Sequence, residues 1–128
     1  MLLPMSNLPP LTTETIWDIL NETLDDATVN QLVWHYLGYR HDSASDRWDT
    51  TAVAPEWKEA YPEPPDFIAN RPPTVKLTRS IPPEYKQLLK SELGFQGYKV
   101  DELVPRKTRR ATIANWLLSY MHQVDLDV

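Results

Sequence analysis

The chain has 128 residues, of which 41% are hydrophobic and 24% charged, with a formal charge of −5. That balance fits one domain with a single modest core. The absence of cysteine excludes disulfides, thiolate zinc sites, iron–sulfur clusters and a cysteine nucleophile, and a pI near 5.1 argues against a general nucleic-acid binder.

Residues 1–11 read as a flexible N-terminal tail, 12–122 as a single domain and 123–128 as an acidic C-terminal tail. Met1 to Met5 has no positive charge and too short an apolar stretch for a secretory signal, and nothing approaches the roughly 18 apolar residues of a membrane span. The expectation is a cytoplasmic protein, peripheral to a membrane at most.

Thr12 or Thr13 caps a first helix whose apolar face is Ile16, Ile19, Leu20 and Leu24. Asp25 or Asp26 caps a second, with the stripe Val29, Leu32, Val33, Tyr36 and Leu37 and with Gly38 just past its end. Residues 39–51 place an Asp/Ser cluster between aromatic flanks, a turn or a small hairpin.

Eight of the 12 prolines lie between Pro55 and Pro83. Proline fixes φ and removes a donor, so this stretch is expected to be extended, with one or two short helical turns. Trp57, Tyr61 and Phe67 give it side chains to pack. Alternation over Thr74–Thr78 suggests a short strand. A third helix is expected from Pro82–Pro83 to Gly94, and a last one from near Thr108 through Ala111, Ala114, Leu117, Leu118 and Met121. The fold class is therefore mainly α, about four helices with a proline-rich crossover; the alternative is α+β with a small hairpin.

Chemical motifs are sparse. His35, His41 and His122 make no metal-ligand spacing, and Asp42, Asp46 and Asp49 lack the glycine and final carboxylate of a calcium loop. Three glycines build neither a Walker loop nor a GxGxxG turn. Asp25–Asp26 reads as a helix cap rather than a catalytic pair. Pro82-Pro83-Glu84-Tyr85 matches PPxY, but prolines that open a helix withdraw it from WW-type recognition. No catalytic residue, cofactor or metal is assigned.

Charge is distributed unevenly. Residues 1–70 carry 3 Lys/Arg and 12 Asp/Glu, whereas 71–110 carry 10 Lys/Arg and 4 Asp/Glu. The sharpest concentration is Arg106, Lys107, Arg109 and Arg110, entering the last helix, where the macrodipole disfavours each exposed cation by about 0.3–1 kcal/mol. Sequences break such rules where something compensates. The compensator is either a bound anion or the protein's own acidic half. Arg71, Lys76 and Arg79 extend the surface if the fold brings them close.

The runs DDATVNQLVWHYLGYR (25–40), VAPEWKEAYPEPPDFIANRPPTVKLTRSIPPEYKQLLKSELGF (53–95) and GYKVDELVPRKTRRATIANWLLSYM (97–121) resemble a cyanobacterial family of unknown function with relatives in plastid-bearing plants and algae. The resemblance covers nearly the whole chain after about residue 12. It implies an oxygenic phototroph as source and a role near photosynthesis, and it supplies no activity, cofactor or functional residue.

The expected function is a non-enzymatic binding or assembly accessory protein. Its basic surface would engage an acidic protein partner or anionic headgroups. The alternative is a nucleic-acid-binding regulator, with 82–121 read as a loose helix-turn-helix. A third reading, a small-molecule enzyme, would place His35, Tyr36 and Arg40 at a pocket rim.

Overall fold

The computed structural model describes residues 8–124. Six helices and one two-stranded hairpin make a mainly α domain. The chain is packed earlier than the expected boundary at residue 12, because Leu11 lies in the core and Leu8 packs against it. Residues 1–7 and 125–128, which hold most of both expected tails, lie outside the described residues.

Helix α1 spans Thr13–Leu20, capped by Thr12, whose hydroxyl accepts the Thr15 N–H at 3.2 Å. Its apolar spacing buries Ile16, Ile19 and Leu20. Helix α2 spans Asp26–Leu37, and the Asp25 carboxylate accepts the Thr28 N–H at 2.8 Å. Thr28 holds the Asp25 carboxyl below its usual pKa. Gly38 then closes α2 at φ 110°, where a Cβ would stand 2.5 Å from the Ala52 carbonyl oxygen. Only glycine meets both demands.

The hairpin pairs β1 (Arg40–Asp42) with β2 (Arg47–Asp49), placing His41 opposite Trp48. Helix α3 (Pro55–Ala60) and helix α4 (Arg71–Arg79) follow. The expected strand at 74–78 is therefore a helix. Pro72 and Pro73 occupy its first turn, where their missing N–H groups have no intrahelical partner to lose. Burial falls on Pro73, Thr74 and Leu77, a helical spacing rather than an alternation.

The proline-rich crossover is ordered by polar groups from α2 and the residue after its glycine cap. Asn30 Nδ2 donates to Asp66 Oδ1 at 2.9 Å, while Asn30 Oδ1 accepts the Phe67 N–H at 2.9 Å. Trp34 Nε1 donates to the Pro65 carbonyl at 2.7 Å, and the buried Tyr39 hydroxyl to the Tyr61 carbonyl at 2.6 Å. Burial pushes the Tyr39 phenol up to about 12.

The expected helix from Pro82 to Gly94 is broken. Pro83–Tyr85 forms a single 3₁₀ turn, and helix α5 covers only Leu88–Leu93, closed by Gly94 at φ 70°. Asn115 bridges the break from the next helix: its Oδ1 accepts the Leu89 N–H at 3.3 Å and its Nδ2 donates to the Tyr85 carbonyl at 3.1 Å. Helix α6 spans Pro105–Gln123, starting at proline rather than near Thr108. Every residue from Ile113 to Ser119 is buried, because α6 packs against α1, α2, α4 and α5. It is the axis of the domain.

Two outcomes check the crossover. Asn30→Ala strands the Phe67 N–H and one Asp66 contact, and is expected to cost about 1–3 kcal/mol in urea unfolding; an unchanged midpoint refutes the anchor. The second concerns Asp66. Desolvation alone would raise its pKa, but hydrogen bonds from Ala69, Asn30 and Ile68 outweigh it and hold the carboxyl below its usual value. A lowered folded pKa contributes stability above the unfolded value of about 4 and loses it as pH falls further. Wild type should therefore lose more stability than Asp66→Asn between about pH 5 and pH 3. Equal losses would reject the assignment.

Candidate functional site: a basic groove beside the central helix

The four cations leading α6 have different surroundings. Arg110 is fully buried and aimed at the turn joining α1 to α2. Its Nε donates to the Ile19 carbonyl at 3.1 Å, its Nη2 to the Leu24 carbonyl at 2.6 Å and its Nη1 to Asp26 Oδ1 at 2.7 Å. Arg106, 47% exposed, grips both Asp26 oxygens at 2.9 Å and also pairs with Glu22. The acidic half of the chain supplies the compensating anions. This corrects the expectation that Arg106 and Arg110 face a partner: all three guanidinium nitrogens of each donate within the fold.

Lys107 lies over the Tyr98 ring, 5.6 Å from its centroid. Arg109 donates one N–H to the Ile68 carbonyl at 2.9 Å and shares a hollow of about 510 Å³ with Arg71. Val75, Leu103 and Val104 give this hollow apolar walls, and Leu103 and Val104 remain 54% and 45% exposed. The structure thus brings Arg71 and Arg109 together from sequence positions 38 apart.

A second hollow, of about 360 Å³, adjoins the first, sharing Thr78 and Thr112 with it. It lies between α6 and the segment from Lys86 to Gly97, with Ile81, Leu89, Phe95 and Ala111 as apolar lining and Lys86 and Lys90 as cations. The two form one groove along α6, bordered by α4. Among the described residues, no acidic side chain lines either hollow. Lys86 Nζ donates to the Thr78 carbonyl at 2.6 Å, near the C-terminal end of α4, where a cation is favoured. Arg71 and Lys90 have no ion pair within 4.0 Å among the described residues.

Lys86 and Lys90 were not singled out in the sequence. Their signal was the i, i+4 spacing of two lysines, which an unbroken helix would have placed on one solvated face. Lys76 and Arg79 line a different hollow of about 480 Å³ with Trp57, Tyr61, Pro72 and Glu56. Lys76 stands 5.2 Å from the Trp57 ring centroid. Six of the seven expected cations therefore fall into three groups, two each at the α1–α2 turn, in the α6 groove and in the Trp57 hollow, while Lys107 lies apart over Tyr98.

The other sequence candidates are placed as follows. His35 and Tyr36 meet edge to face with centroids 4.9 Å apart, and Arg40 Nη1 donates to the His35 and Tyr39 carbonyls. Burial, then Arg40, lowers the His35 pKa. None of these three lines any of the hollows above. Tyr85 of the PPxY match is half-buried and packs on His122 at 5.4 Å. No helix among the described residues is long and apolar enough to cross a membrane.

Residues 10–122 match the family described as a domain of unknown function (DUF1823). A solution NMR structure of a protein 63% identical to this chain superposes with a TM-score of 0.80, covering 89% of this chain and 95% of that one. No curated protein matches the chain.

Arg110 and Arg106 make predictions of different size under substitution. Arg110→Met leaves the Ile19 and Leu24 carbonyls without the arginine donor and Asp26 with Arg106 alone, and should cost about 3 kcal/mol. Arg106→Gln removes a half-exposed pair and should cost about 1 kcal/mol or less. Urea unfolding of both variants reads the difference, and equal losses would show that burial does not separate them.

Proposed function

We propose, for a chain that belongs to this family of domains of unknown function, a non-enzymatic role as a binding or assembly accessory protein that docks an acidic protein segment in the groove beside α6. The observation that carries this reading is the groove's one-sided charge. Arg71 and Arg109 lie in one hollow, Lys86 and Lys90 in the other, apolar surface lies in both, and neither has an acidic lining residue among those described. An acidic segment with apolar anchors complements that lining.

The acidic half of the chain supports the same reading. Glu22 and Asp26 are engaged by Arg106 and Arg110 at the α1–α2 turn. Arg71, Lys86, Lys90 and Arg109, by contrast, have no ion pair within 4.0 Å among the described residues. A location in the cytoplasm of an oxygenic phototroph, peripheral to a membrane at most, belongs to the proposal through the sequence resemblance. The nucleic-acid reading has weaker support, because the arginines that would lead α6 into a DNA groove are held by α1 and α2.

Affinity capture with the full chain tests the role. Wild type is expected to retain an acidic protein that the double variant Arg71→Glu/Lys90→Glu loses, with both proteins unfolding at the same urea concentration. Identical recoveries would remove the groove from the function. Recovery of nucleic acid whose binding falls steeply with salt would replace the proposal with the alternative.

A further inference from the structure

The groove's floor carries more information than its charge. Thr78, Thr108 and Thr112 line it, and each hydroxyl donates its proton to a carbonyl nearby in the chain. Thr78 Oγ1 donates to the Thr74 carbonyl at 3.0 Å, Thr112 Oγ1 to the Thr108 carbonyl at 3.2 Å and Thr108 Oγ1 to the Pro105 carbonyl at 3.1 Å. A hydroxyl whose single proton is committed keeps acceptor capacity only. These threonines therefore offer the groove hydrogen-bond acceptors, beside charged donors in both hollows and the amide side chains of Gln87, Gln96 and Asn115 in one.

This pattern separates possible occupants. An acyl chain with an anionic head brings no donor to the floor and leaves the hydroxyl oxygens without a partner once water is expelled. An α-helix has spent its backbone N–H groups internally, apart from those of its first turn. An extended peptide offers free N–H groups along its length, with carboxylates and apolar side chains projecting from the same backbone. We infer that the groove binds an extended acidic peptide, whose backbone N–H groups donate to Thr78 and Thr112 while its carboxylates pair with Arg71 and Lys90. This inference rests on the docking role proposed above and adds the conformation of the partner and the groups that read it.

The length agrees. Helix α4 has nine residues and measures about 13 Å at 1.5 Å per residue. An extended octapeptide of about 27 Å spans that border and continues past it.

The probe is a fluorescein-labelled octapeptide of alternating Leu and Asp, compared with the same peptide N-methylated at its two central amides. N-methylation deletes two donors and keeps every side chain and charge. Fluorescence anisotropy with the full chain should show about tenfold weaker binding of the methylated peptide, the size of one to two hydrogen bonds. The double variant T78V/T112V should bind the unmethylated peptide about tenfold more weakly and be indifferent to methylation. The methylated peptide probes wild type directly, so the result does not depend on the variant folding.

Binding that ignores both methylation and T78V/T112V would overturn the extended-peptide inference and leave the docking role standing. Stronger binding of an octyl carboxylate than of the peptide, unaffected by T78V/T112V, would overturn it in favour of an amphiphile. No binding of either peptide at low salt would overturn this inference, whereas only loss of charge-dependent partner capture would overturn the docking role as well.

Discussion

One buried guanidinium ties the ends of this domain together. Arg110 enters from α6 and satisfies the Ile19 carbonyl at the end of α1, the Leu24 carbonyl in the following turn and the Asp26 carboxylate at the start of α2. A charge taken fully out of water is tolerable only when it is well hydrogen-bonded, and here each of the three guanidinium nitrogens donates to an acceptor, two backbone carbonyls and one carboxylate. The same contact fixes how α1 and α2 lie on α6. Arg106 reinforces it from the surface. A helix that begins with cations, against its own dipole, is stable because the α1–α2 turn supplies carboxylates at that end.

The groove is a consequence of that arrangement. Internal pairing engages acids on the α1–α2 side, and the positive residues of the groove face a lining without acids among the described residues. The break between the 3₁₀ turn and α5, bridged by Asn115, turns Lys86 and Lys90 toward the same groove as Arg71 and Arg109. An uninterrupted helix over 82–94 would have placed these lysines otherwise. The net negative charge of the whole chain thus conceals a locally positive surface.

Much of the fold was legible where local chemistry decides it. Thr12 and Asp25 cap the first two helices as their short oxygen-bearing side chains suggest, Gly38 ends α2, and the hairpin follows its Asp/Ser turn. Sequence reading went astray where tertiary partners decide. Thr74–Thr78 alternates like a strand, yet the packing of Pro73, Thr74 and Leu77 makes it a helix. The interruption at Lys86–Gln87 depends on Asn115, nearly thirty residues further on. The arginine cluster was visible as an anomaly, but its resolution was not: charge counts could not tell Arg110, buried on Asp26, from Arg71, exposed beside a hollow. Short-range rules found the elements, and long-range hydrogen bonds assigned their roles.

The central position of α6 also governs how the molecule comes into being. Synthesis proceeds from the N-terminus, so α1, α2, α4 and α5 emerge from the ribosome before the helix they pack against. Their apolar faces have no common partner until residues 105–123 are clear of the exit tunnel. The core is consequently completed only when the last helix joins it.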